Sequence, residues 1–144
     1  MGYINEYSAA LSMAIIDFRS YYYSLEELEK MLVQPMEDIA IIKKMKMNKN
    51  DACYVIMGYF NKINGYKKSI SNIKKLIVKH QTKLKPYIHQ NHDRKDEYKK
   101  ALKLLENKIA ECEPMVDDIL LDCIEFLNEC DYKIFDEHDT RFNP

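Results

Sequence analysis

The chain has 144 residues, three of them glycine and none tryptophan, and its 22 basic and 23 acidic side chains leave a formal net charge of −1. So few glycines exclude folds rich in tight turns, such as sandwiches, barrels and dinucleotide-binding units, which need many residues at positive φ. An apolar fraction of 47% is too high for a disordered polymer, and 144 residues suffice for one compact core without staples.

The expected fold is all-α. Residues 3–23 place Ile4, Leu11, Ile15, Phe18, Tyr22 and Leu25 on one stripe of a helix. Ser24 followed by Glu27 reads as a capping box and predicts a fresh helix start. Pro35 predicts its end and can open the next helix, over about 36–47, which closes on Lys43, Lys44 and Lys46. Asn48 to Asp51 reads as a turn and N-cap. The following helix is apolar on most sides and is expected to be the most buried one, closed by Asn64 and Gly65.

Residues 66–84 carry a narrow apolar stripe of Tyr66, Ile70, Ile73, Ile77, His80 and Leu84. Lys67, Lys68, Lys74, Lys75, Lys79 and Lys83 spread over the opposite face. Pro86 stops this helix, 87–92 reads as a loop, and Asp93 is a candidate N-cap. Beyond it, Tyr98, Leu102, Leu105, Ile109, Cys112, Val116, Ile119, Cys123, Phe126 and Cys130 alternate steps of four and three, a heptad seam. Pro114 interrupts the seam: either one kinked helix runs through, which the preserved phase favours, or Glu113 and Pro114 make a corner with proline in the first turn of a last helix, which the cost of an interior proline favours. These breaks add up to a bundle of about five or six helices with a long amphipathic, heptad-patterned C-terminal half. The expected organisation is a single helical domain over 1–130 and a polar, partly ordered tail over 131–144.

Charge is segregated along the chain. Residues 1–40 carry 2 basic and 7 acidic groups, residues 41–104 carry 17 and 4, and residues 105–144 carry 3 and 12. Near-neutrality is therefore a cancellation between blocks. One reading pairs the lysine face with Asp117, Asp118, Asp122, Glu125 and Glu129, within the fold or across a dimer. Another sends Lys67, Lys68, Lys74, Lys75, Lys79 and Lys83 to the phosphates of a nucleic acid. Lysine in place of arginine would suit non-specific backbone contact.

Catalytic signatures do not emerge. The chain has no phosphate-binding loop, no HExxH and no carboxylate set for a di-iron bundle. His89 and His92 on a polar loop lack a second ligand pair, and His80 on an apolar stripe reads as a satisfied core histidine. Cys53, Cys112, Cys123 and Cys130 lack CxxC spacing and read as reduced thiols of a cytoplasmic protein. The N-terminus lacks the basic region of a secretory signal, and no apolar run is long enough to span a membrane. Three adjacent tyrosines cannot all face a core, so Tyr21 or Tyr23 should be exposed, as at interfaces.

The functional expectation is a non-enzymatic, regulatory helical protein without cofactor or metal. It would bind a protein partner or self-associate through Tyr21, Tyr23, Tyr98, Leu102, Leu105 and Ile109. The alternative is a nucleic-acid-associated accessory protein using the basic helix over 67–85.

Overall fold

In the computed structural model, which describes residues 6–130, the chain is all-α. The expected tail over 131–144 and residues 3–5 of the expected first helix lie outside these residues. The order is α1 (Glu6–Lys44), α2 (Lys49–Leu84), a single 3₁₀ turn (Lys85–Tyr87) and α3 (Lys95–Glu129). There are three α-helices among the described residues, not five or six, and no strand.

The extra helices were predicted at chain breaks that do not occur. Ser24 does not cap a new helix: its hydroxyl donates to the carbonyl of Ser20 at 3.2 Å, inside α1. Pro35 and Pro114 lie within α1 and α3. Asn64 and Gly65 lie within α2. In each case the apolar phase is unbroken across the site. Leu32, Pro35 and Ile39 are buried together on α1, Ile63 and Ile70 on α2, and Cys112, Val116 and Ile119 on α3. An interior proline costs about 3 kcal/mol. Burying one Leu, Ile or Val contributes about 1.5–3 kcal/mol. A corner at Pro114 would put the whole seam beyond it out of register, so continuing the helix wins.

The true breaks are where local chemistry supplies a cap. α1 ends at Lys44 with two lysines in its last turn, as the helix dipole favours. Asn48 Oδ1 then accepts from the backbone N–H of Asn50 at 2.8 Å and of Asp51 at 3.3 Å, starting α2. Pro86 sits in the 3₁₀ turn that ends α2. Before α3, His92 and not Asp93 fixes the turn: its Nδ1 accepts the N–H of Arg94 at 3.0 Å, one residue ahead of the helix.

The chain forms two compact units, each made of one segment from every helix. The first comprises residues 6–29 and Lys68–Glu113. Its core is Leu11, Ile15, Phe18 and Leu25 of α1, Ile70, Ile73 and Ile77 of α2, and Leu105 and Cys112 of α3. His80 is buried there, 2.8 Å from Asp17 and edge-on to Phe18, as its place on the stripe implies. Lys108 is only 11% exposed along its side chain and reaches Glu111 and Glu29. The Glu111 carboxylate, then Glu29, hold its ammonium charged well above the usual lysine value, and it lies 5.5 Å over the Tyr22 ring.

The second unit comprises Lys30–Lys67 and residues 114–130. Leu32, Ile39, Ile56, Phe60, Ile63, Val116, Ile119, Cys123 and Leu127 fill its core. Tyr59 donates to Asp38, and that bond holds the Asp38 carboxyl below the usual carboxylate range. The N-terminal part of α2 is not buried all round: Tyr54 is 77% exposed. The cysteines are free thiols, three buried and Cys130 half-buried. Burial pushes Cys112 up to about 11 and Cys123 up to about 12. Burial and the adjoining Cys130 thiol push Cys53 up to about 11, so these thiols stay protonated and poorly nucleophilic.

Gly58 and Gly65 sit inside α2 with nothing within 4 Å of where a Cβ would stand. Gly58→Ala and Gly65→Ala should each stabilise the protein by about 0.5–1 kcal/mol, because alanine loses less backbone entropy on entering a helix. Urea unfolding midpoints check this: an unchanged or lower midpoint in both variants would show that α2 is not continuous there.

Candidate functional site

The residues proposed for partner binding do not share one surface. Leu105 and Ile109 are buried in the first unit's own core, so the seam that suggested a partner is already covered by α1 and α2. Leu102, Tyr21 and Tyr98 are half-buried, and Tyr98 packs against Phe18 with ring centroids 5.6 Å apart. Tyr23 alone of the six stands out, 64% exposed.

Tyr23 is the ridge between two depressions of the first unit. One, of about 360 Å³, is lined by Phe18, Tyr22, Ala101 and Leu104, with Arg19, Glu97 and Lys100 at its edge. The other, open and about 570 Å³, is lined by Ile16, Ser20, Ser24 and Glu27. Arg19 and Tyr23 belong to both. Ile16 at 58% and Leu104 at 57% exposure add apolar surface on either side. Arg19 is tied to Glu97 at 3.2 Å, whereas Lys100 has no ion-pair partner among the described residues. Leu104 went unnoticed in the sequence because it flanks the seam position Leu105 and breaks no pattern.

The lysines divide into two groups. Lys67 pairs with Asp117 at 2.6 Å, Lys74 with Glu113, and Lys43 with Asp122 at 3.6 Å. Lys68, Lys75, Lys79 and Lys83 have no ion-pair partner among the described residues. At 100° per residue these four fall within one stripe of α2. Local cancellation is close: the described residues of the first unit carry 13 basic and 11 acidic groups, and those of the second 7 and 8. Charge that is segregated along the chain is thus mixed in each unit.

A polar network holds the loop between α2 and α3 against α1. Ser8 Oγ lies 2.7 Å from His92 Nε2. Arg94 donates to Ser12 Oγ at 2.7 Å and grips Glu97 with two bonds of 3.1 Å. The first of these contacts has the spacing of a nucleophile and its base. Its proton inventory forbids that role. Nδ1 already accepts the Arg94 N–H, so the neutral ring carries its proton on Nε2 and donates it to Ser8. A base for Ser8 would need a lone pair at Nε2. Among the described residues, no group of three His, Cys, Asp or Glu is placed to hold a metal ion.

Beside this network, the first unit has a cleft of about 290 Å³. Tyr7 and Leu11 of α1 line it with Leu84, Tyr87 and Ile88, and Tyr98 of α3 closes it. Tyr7 and Tyr87 stack at 5.0 Å with planes 12° apart. Their hydroxyls are committed, Tyr7 to the carbonyl of Gln90 and Tyr87 to Glu6. Tyr98 is common to this cleft and to the sequence-derived set; the rest needed the fold, since its walls come from positions 80 residues apart.

No protein-family model, curated protein or solved structure matches the chain. No helix among the described residues is long and apolar enough to cross a membrane. Function therefore rests on the surfaces themselves.

His92→Ala removes both the turn bond to the Arg94 N–H and the bond to Ser8, and should cost about 1 kcal/mol in denaturant unfolding. A fluorophosphonate probe should leave Ser8 unlabelled in the native protein. Stoichiometric labelling of Ser8 would overturn the tautomer assignment.

Proposed function

We propose that this is a non-enzymatic interaction protein that binds a protein partner through the Tyr23 face of its first unit. The observation that carries the reading is Tyr23 itself, exposed between two depressions and flanked by exposed Ile16 and Leu104. Aromatic side chains on a rigid helix are the usual anchors of interfaces, because they bury much area at little entropic cost. Two depressions either side of such an anchor suit an amphipathic helix, read at every third or fourth residue. Lys100 at the edge favours acidic residues on that helix. The earlier reading moves accordingly, from the buried seam at Leu105 and Ile109 to the exposed flank at Leu104.

The test is a photo-crosslinking residue at position 23, with one at position 75 as control. Crosslinks to one polypeptide from 23 and not from 75, lost on Leu104→Glu, are expected. Equal crosslinking at both positions, or no effect of Leu104→Glu, overturns the reading. Light scattering across concentrations identifies the case in which the partner is a second copy.

One observation favours a second reading, nucleic-acid association: Lys68, Lys75, Lys79 and Lys83 share a stripe without carboxylate partners. Phosphate contact by these four would make log K fall with log salt with a slope of about −0.9 per neutralised phosphate on duplex DNA. Replacing all four with Gln should flatten that slope by about 3–4. No mobility shift at low salt, or an unchanged slope in the variant, excludes it.

A further inference from the structure

We propose that the cleft between the stacked tyrosines and Tyr98 binds a small aromatic carboxylate, its ring against Tyr7 and Tyr87 and its anion between Lys85 and Lys99.

The walls select an apolar, flat body. Leu11 and Leu84 are 1% and 8% exposed and form a dry floor. The Tyr7 and Tyr87 rings are nearly coplanar in direction, and both hydroxyls are already bonded, so the pair offers faces and edges but no further donor from Tyr7 or Tyr87. Ile88 at the lip is 61% exposed, an apolar side chain that a ligand would cover. The volume, about 290 Å³, lies at the small end of ligand sites, ~300–1,000 Å³. That size suits a one- or two-ring molecule and not a long acyl chain.

The rim selects the charge. Three lysines line the cleft, and they are not equivalent. Lys95 is committed to structure, since its ammonium donates to the carbonyls of Ile88 at 3.1 Å and Gln90 at 3.3 Å. Lys85 and Lys99 have no ion-pair partner among the described residues, come from different elements, and line the same cleft. The Glu6 carboxylate is not among the residues lining the cleft and accepts from the Tyr87 hydroxyl. An apolar cavity whose lining carries two lysines without carboxylate partners is complementary to an aromatic anion and not to its neutral counterpart.

The experiment titrates the whole chain with 2-naphthoate, and separately with neutral 2-naphthylmethanol, following backbone amides by heteronuclear NMR. Saturable shifts centred on Tyr7, Ile88 and Lys99 are expected with naphthoate, and binding about tenfold weaker or absent with the alcohol. The double variant Lys85→Gln and Lys99→Gln should weaken naphthoate by about tenfold or more. Lys62→Gln, at an exposed position of α2 in the second unit, should leave it unchanged. Tyr87→Ala should abolish the site while the remaining spectrum stays native. The proposal is overturned by any of three results: no saturable shift at millimolar naphthoate, equal affinity for acid and alcohol, or shifts centred on Tyr23 and Leu104. The last would place the probe in the partner face and bears on that reading separately.

Discussion

The constraint on which everything else depends is the unbroken phase of the apolar stripes. The buried positions of each helix recur at spacings of three or four, or sums of these, so the core-facing stripe continues along its length. Any corner within a helix would rotate the remainder of its stripe out of register and expose it. That collective penalty exceeds the local cost of two interior prolines and two interior glycines. Helix length here is set by burial and not by propensity, and the ends fall only where Asn48, Pro86 and His92 supply or withdraw backbone partners.

The same geometry explains the charge distribution. A basic block in the middle of the sequence becomes α2 and the start of α3, and its neighbours within each unit are the acidic blocks of α1 and the rest of α3. Pairs such as Lys67 with Asp117 and Lys74 with Glu113 follow. Exposed pairs contribute up to ~1 kcal/mol each. Their larger effect is to disfavour alternative packings of three similar stripes, in which like charges would meet. Among the described lysines left without an ion-pair partner, Lys85 and Lys99 line the cleft, Lys100 lines the depression beside Tyr23, and Lys68, Lys75, Lys79 and Lys83 share a stripe of α2.

Fold class was legible from composition and period, because few glycines and a strict three–four alternation leave little besides helix. Helix number was not. Ser24 with Glu27, Pro35 and Pro114 are sound local stop or start signals, and single-residue signals cannot report the packing that overrides them. Exposure was legible only in part. That of Tyr23 followed from three tyrosines that cannot share one face. The burial of Leu105 and Ile109 within the first unit did not, because a seam has the same pattern whether it is covered by another chain or by this one. The cleft was hidden because Tyr7, Tyr87 and Tyr98 come together only through the loop fixed by His92 and Arg94, a network of residues individually unremarkable in sequence.

Both units draw on all three helices, so neither corresponds to a continuous stretch of chain. The first joins residues 6–29 to Lys68–Glu113, and the second joins Lys30–Lys67 to a segment that begins at Pro114. During synthesis, α1 and α2 can form their backbone bonds as they emerge, since helices are local. Neither core can close until α3 has followed, because Leu105 and Cys112 belong to one and Val116 and Leu127 to the other. Until α3 has emerged, the apolar stripes of α1 and α2 lack their full cover, and exposed charge beside such stripes is what disfavours aggregation of an unfinished core.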